Sequence, residues 1–423
     1  MKTLEKNQMA LLILIRAAIW ESEEALPDAD WDVVEKYAQE QGVLWIACLG
    51  AKALKQSNCS LQTIPKERLK NWRSALYTGT FYNDQLNSVQ TRLIQWLAEN
   101  KIRAAILKGT SCSRCYPFPE ARPLGDIDVL VDRECVTAVG EYLESRGYTK
   151  SQHEHGFHVG YYGTEATVEV HYAGTNIPDS TGGRAVAEEM RHFLDDTQMA
   201  CIGKMTFPVL SDAHQALMLL LHMERHMVDS GIGLRQLCDW AMFVNSTAGI
   251  GWKDNILELL KRCGMLVYAK VLTKTCVIFL GLDAAKVEWC LDADDELAQA
   301  MMEDVLRGGS MGTADTEGMG SLFTDRVHMG DGERNKLATL LGRLTMLAHQ
   351  HFPCTQRYKI LLPVFWIYIP MRYIVRSLVG LRPKKRILAV YREADQRQRL
   401  YKALQLYEID DGEKDAADKA FQE

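Results

Sequence analysis

Apolar residues recur at helical spacing through the first hundred positions. Asn7–Glu21, Trp31–Lys55 and Lys66–Asn100 each keep the rhythm that predicts amphipathic helices. From residue 101 the apolar runs shorten to strand length. Ile102–Leu107 and Ile127–Val131 are two such runs, and Thr137–Arg146 reads as a helix stopped by Gly147. His158–Tyr162 and Thr167–Tyr172 read as paired strands about a Gly163-Thr164 turn, and Thr206–Leu210 is one more candidate strand. After Ser211 the helical period returns, with Asp212 as N-cap of a helix to Val228 and Leu234–Asn245 next. Gly308–Ser321 is Gly-rich and polar and reads as a loop. Residues 337–406 read as helical, and the acidic Asp410–Glu423 as a frayed end. The expected class is α+β, of α/β type: a small mixed β-sheet core at 101–210. Helical regions are expected at 1–100, at 211–300 (completing a cleft) and at 301–423.

Composition leaves this picture in place and narrows the function. With 47% hydrophobic and 25% charged residues, the 423-residue chain is an ordinary folded protein. A net charge of −6 disfavours general electrostatic binding to nucleic acid or anionic membrane. The one basic block is Arg372–Lys402, which includes Arg382-Pro-Lys-Lys-Arg386. It reads as a solvated helix face or as a surface for RNA, an acidic partner or anionic lipid. The 11 dispersed cysteines suit reduced thiols in a cytoplasm. The apolar run Met9–Ile15, broken by Arg16, does not look like an export signal. Ile360–Met371 is too short to span a bilayer. A buried helical hairpin is the plainer expectation there, and contact with a membrane surface the alternative.

The chemistry concentrates in Leu107–Val131, LKGTSCSRCYPFPEARPLGDIDVLV. Asp126 and Asp128 flank Ile127, so on a strand they share a face while Ile127, Val129 and Val131 turn to a core. Adjacent carboxylates repel, an arrangement that makes sense around a divalent cation. Oxygen ligands favour Mg²⁺ or Mn²⁺. Glu169, between Val168 and Val170, adds a third carboxylate with His171 on its face. Three carboxylates on two neighbouring strands suit two-metal phosphoryl transfer. Lys108-Gly109-Thr110 closes the first run, where a glycine lets backbone N–H groups approach a phosphate. Lys108 and Arg122 can neutralise phosphate charge.

This ordered set resembles the DNA polymerase β-like nucleotidyltransferase superfamily. The pattern K-G…R…G-D-I-D…V-E-V-H, followed by G-I-G-L-R-Q-L-C-D-W, is similar to a bacterial family of uncharacterised nucleotidyltransferases. The likeness spans residues 100–245. The superfamily's Gly-Ser pair usually lies closer to the first aspartate than Gly109-Thr110 does here, which a longer proline-bearing loop accommodates. The resemblance implies a catalytic core at 101–210 and transfer of a nucleotidyl group from an NTP, with ATP the expected one, to an acceptor hydroxyl. Asp126, Asp128 and Glu169 are the expected metal ligands and catalytic residues. Lys108, Gly109, Thr110 and Arg122 are the expected nucleotide contacts. The acceptor, whether small molecule, peptide, protein or RNA, is not spelled out. A nucleotide-sensing or partner-binding protein that keeps the fold is the rival, and a metal phosphohydrolase a third reading.

Other signals weigh less. His222 and His226 share a helix face, but Met223 stands where a zinc-protease helix carries its glutamate, so core packing or cleft contact is expected instead of zinc. Cys112 and Cys115 form a lone C-x-x-C. His153, Glu154, His155 and His158 read as a polar loop cluster. Arg235 and Asp239, four apart on a helix, read either as an ion pair or as the wall of a nucleotide cleft.

Overall fold

The computed structural model describes residues 4–56, 64–152, 156–229, 231–248, 252–308, most of 341–378, and 396–409. Helix α1 (Lys6–Trp20) is apolar on every side, and Ala10–Ile15 are all buried, so it forms the centre of the N-terminal helices. It crosses α3 (Leu44–Gln56) so closely that a Cβ on Gly50 would lie 1.8 Å from the Leu14 carbonyl oxygen. Helix α2 (Trp31–Glu40) starts at Asp30, whose carboxylate accepts from the N–H groups of Asp32 and Val33. It ends at Gln41-Gly42, where Gly42 takes φ 65°. The single helix expected over Trp31–Lys55 is therefore two, divided by a left-handed glycine.

Seven strands form one mixed sheet: β1 (Ala104–Ile106), β2 (Ile127–Val131), β3 (Thr149–Lys150), β4 (His158–Tyr162), β5 (Thr167–His171), β6 (Thr197–Ile202) and β7 (Met205–Leu210). Their order is β3-β4-β5-β2-β1-β7-β6. β2 lies centrally, antiparallel to β1 and parallel to β5. Both faces are covered. On one, Ile127, Val129 and Val131 join Val168 and Val170 against Leu86, Val89, Leu93 and Leu97 of the long α4 (Lys66–Glu99) and Val139 of α6 (Val136–Ser145). On the other, Ala105, Leu107 and Leu130 join the larger helical core. The alternation expected for Ile127–Val131 holds, and the α+β class is what the chain adopts. The β4–β5 hairpin also pairs as expected, with Tyr162 opposite Thr167. Strand β6 and helix α7 (Thr181–Arg191) were not expected. β6 is an edge strand with Thr197, Gln198 and Met199 exposed, so it carries little apolar alternation. The start of α7 hides behind Gly182-Gly183; a Cβ on Gly182 would lie 2.1 Å from the Tyr407 carbonyl oxygen.

After β7 the described residues are mainly helical, with α8 (Asp212–Asp229), α9 (Leu234–Thr247), α10 (Leu257–Arg262), α11 (Leu266–Thr275) and α12 (Asp295–Gly308). A four-residue helix, α5 (Thr110–Ser113), follows β1. The helix Leu362–Leu378 corrects one expectation. It is helical but not a buried hairpin: Val364, Ile367, Tyr368, Met371 and Val375 are all exposed, as is Ile360 just before it. No helix among the described residues is long and apolar enough to cross a membrane. Beyond Gly308, which ends α12, the loop expected to Ser321 lies outside the described residues. So do His153, Glu154 and His155, the Arg382–Arg386 cluster and the tail from Asp410.

Candidate active site

The parallel register of β2 and β5 sets Asp128 opposite Glu169. Both alternate with core valines, so their carboxylates share the face turned to α8 and α9. Asp126 lies two residues before Asp128, just ahead of β2. One oxygen from each of Asp126, Asp128 and Glu169 falls within 4.8 Å of the others. Asp126 is the most open of the three, and Asp128 is only 2% exposed.

Cations and rings close round this cluster. The Leu107 N–H donates to the Asp128 carbonyl (3.0 Å), which brings the next residue alongside; Lys108 Nζ lies 2.7 Å from Asp128 Oδ1. His171 Nε2 stands 3.0 Å from Asp128 Oδ1 and 3.3 Å from Glu169 Oε2. His158, paired with His171 across the hairpin, has Nε2 3.6 Å from Glu169 Oε1. Thus His158, Glu169 and His171 also gather three potential ligand atoms.

Electrostatics separate the carboxylates. Repulsion from Asp128, with burial, pushes the Asp126 carboxyl up to about 6. Burial alone would raise Asp128, but the Lys108 ammonium and the His171 ring outweigh it and hold Asp128 well below the usual range. Burial likewise opposes the charge on Lys108 and His171, yet the surrounding carboxylates raise both. Burial also works against the Glu169 charge, and the His171 hydrogen bond brings its pKa down. The cluster is one interlocked set of charges, with Asp126 as its least compensated member.

The other residues marked by the sequence lie around this set. Gly109 turns the chain from β1 into α5 at φ 59°, a left-handed conformation suited to glycine. Thr110 is buried and its hydroxyl donates to Gln90 Oε1 on α4 (3.0 Å), so the side chain faces away from the cleft. Arg122 is not brought to the carboxylates. It is buried against Asp239 of α9, with Nε 3.1 Å from Oδ1 and Nη2 2.7 Å from Oδ2. The Tyr116 hydroxyl donates to the same Oδ1 at 2.9 Å. Of the two readings of Arg235 and Asp239, the ion pair is not the one made, for both oxygens of Asp239 are bonded to Arg122. His222 and His226 pack ring against ring, 4.4 Å apart. Burial and the nearby cations, Lys108 first among them, hold His222 far below its ordinary pKa. Cys112 and Cys115 are free thiols, and burial pushes both upward.

Sequence reasoning missed two positioning residues on α4. Asn83 Nδ2 donates to the carbonyls of Glu120 and Arg122 (both 3.0 Å), and its Oδ1 accepts from the Leu124 N–H. It pins the proline-bearing loop that delivers Asp126. Gln90 receives Thr110. Asn83 and Gln90 are seven apart, on the helix face that buries Leu86, Leu93 and Leu97. Two polar residues on an otherwise apolar stripe were the available signal.

Comparison with curated proteins finds no match. The sequence profile of the uncharacterised nucleotidyltransferases matches residues 27–281, more than half of the chain, and spans the sheet and every residue of the carboxylate cluster. The chain belongs to that nucleotidyltransferase family.

Proposed function

We propose that the protein is a divalent-metal-dependent nucleotidyltransferase that moves an NMP group from an NTP to an acceptor hydroxyl and releases pyrophosphate. One observation carries the reading: Asp126, Asp128 and Glu169 converge within 4.8 Å on one face of paired strands. The donor set fits hard cations, being all oxygen, and the repulsion that raises Asp126 is what such an ion would relieve. Asp126, Asp128 and Glu169 would hold Mg²⁺ or Mn²⁺. When bound, the ions supply charge neutralisation of the triphosphate and activation of the acceptor oxygen.

The chain's own residues do the rest. Asp126 and Asp128 fix the triphosphate side of the cleft, and Glu169 the acceptor side. Lys108, already at Asp128, carries a charge that a phosphate oxygen can share. Gly109 gives the backbone the turn needed for a close phosphate approach. Arg122 and Asp239 brace the loop between α5 and β2 against α9. The acceptor oxygen attacks the α-phosphorus, the bond to the bridging oxygen breaks and pyrophosphate departs. The hydroxyl proton leaves on the Glu169 side. Rate comes from positioning and charge. The test is nucleotide turnover with Mg²⁺ and a cell extract as acceptor pool, followed by mass spectrometry. Nucleotide-modified products with pyrophosphate release support the reading. Binding without turnover across many acceptors moves the assignment to a nucleotide sensor.

A further inference from the structure

Arg235 is the second residue of α9 after its Gly233 cap. Its Nε is sealed from solvent with no hydrogen-bond acceptor, and among the described residues the neighbouring carboxylate of Asp239 pairs with Arg122 instead. Asp239, one turn on, is committed to Arg122. The charges within its reach are Arg122, which repels it, and Asp239 and Asp126, which attract it. A half-buried guanidinium with a sealed Nε and no ion pair of its own among the described residues is a suitable seat for an anion.

The position is built. Gln41 accepts from the Leu234 N–H through Oε1 (2.7 Å) and from the Arg235 N–H through its carbonyl (3.3 Å). Its Nε2 donates to the carbonyls of Val305 and Leu306, both at 3.2 Å, so one buried glutamine locks the start of α9 to α12. Gly231, at φ 98°, lets the preceding chain press on Gly308, where a Cβ would lie 2.9 Å from the Gly308 Cα. The first amides of α9 are thereby occupied, and the guanidinium is the group left to meet an anion. Arg122, held by Asp239 one turn along α9 from Arg235, begins the short stretch of chain that runs into Asp126, so Arg235 stands beside the approach to the cluster.

An anion that reaches Arg235 and also sits before Asp126 needs separate charged groups along its length. A linear polyphosphate has them. We propose that Arg235 binds the β,γ end of the nucleoside triphosphate whose α-phosphate faces Asp126, Asp128 and Glu169. The assignment rests on the nucleotidyltransferase reading.

The experiment compares wild type, Arg235→Gln and Arg235→Lys in titrations with Mg²⁺ alone, AMP, ATP and inorganic tripolyphosphate. Arg235→Gln is expected to weaken ATP and tripolyphosphate about 10–100-fold, the size of a lost charge-assisted contact. Affinity for Mg²⁺ and AMP should hold. Arg235→Lys should fall between, because lysine lacks the planar fork. The ligand-free Arg235→Gln protein should melt no lower than wild type, since it loses an uncompensated charge. A merely structural arginine would lower the melt. Should Arg235→Gln fail to fold, the assignment is overturned on that ground. Unchanged ATP and tripolyphosphate affinity in Arg235→Gln also overturns it while leaving the nucleotidyltransferase reading in place. A wild type that binds neither ATP nor tripolyphosphate overturns both.

Discussion

Asp128 and Glu169 stand opposite each other across β2 and β5, and a single ring, His171, meets both carboxylates, at 3.0 and 3.3 Å. Backbone register therefore fixes their spacing, and His171 with Lys108 holds Asp128 in place.

This geometry separates the two aspartates. Asp126 lies ahead of β2 on the open side of the cluster, whereas Asp128 is buried between Lys108 and His171. Asp128→Asn should cost about 3 kcal/mol by stranding buried positive charge. Asp126→Asn should leave urea stability at neutral pH at or above wild type, because it removes a carboxylate that Asp128 repels. Both should lose Mn²⁺ binding in calorimetry. An Asp128→Asn protein as stable as wild type, or undiminished metal affinity in either, would contradict the arrangement.

The pH dependence follows from Asp126. Its carboxyl sits at about 6 in the folded protein, above its unfolded value. Its contribution favours folding at low pH and is lost as pH rises through 6 without metal. Asp128, held low, works the other way: its contribution is present near neutrality and is lost as pH falls through its folded value. Metal affinity needs ionised Asp126, so it should rise with pH to about 6 and level off above, changing roughly tenfold per unit below. Mn²⁺ titrations between pH 5 and pH 7.5 check this. A flat profile would remove Asp126 from the metal site.

The Arg122–Asp239 pair gives a stability test. Asp239→Asn strands a buried guanidinium and should cost about 3–5 kcal/mol in urea unfolding. Pairing Arg122→Met with Asp239→Leu should recover most of that. If Arg122 is a brace, the double variant keeps near wild-type ATP affinity. A large loss of affinity in a stable double variant would return Arg122 to the phosphate contacts expected from sequence.

Much of the site was legible because strand alternation is strict. Period two set Asp126 with Asp128, and Glu169 with His171, each pair on one face of its own run with the valines on the other, and the β2–β5 register joins the two pairs. Lys108 followed from its position at the end of a short apolar run. Arg122 could not be placed, since its partner Asp239 is 117 residues away and no local pattern encodes a long-range ion pair. The same holds for Gln41, which caps α9 from a distant turn. The edge strand β6 and helix α7 were missed where exposure or glycines erase the apolar period. The exposed face of Leu362–Leu378 shows the converse limit, for an apolar run does not by itself say that it is buried.

The central claim, that the carboxylate cluster performs metal-dependent nucleotidyl transfer, is tested most directly at Glu169. Glu169→Gln keeps size, removes one charge from the acceptor side and leaves Asp126, Asp128 and Lys108 for the triphosphate. The measurement is transfer of α-³²P-labelled NTP into an acceptor pool with Mg²⁺, run beside an NTP-binding titration. Wild type should transfer label. Glu169→Gln should bind NTP almost as well and transfer ~10²–10³-fold more slowly, because the lost interaction belongs to the transition state. Equal transfer by both proteins, or none by wild type across many acceptors, would contradict the account.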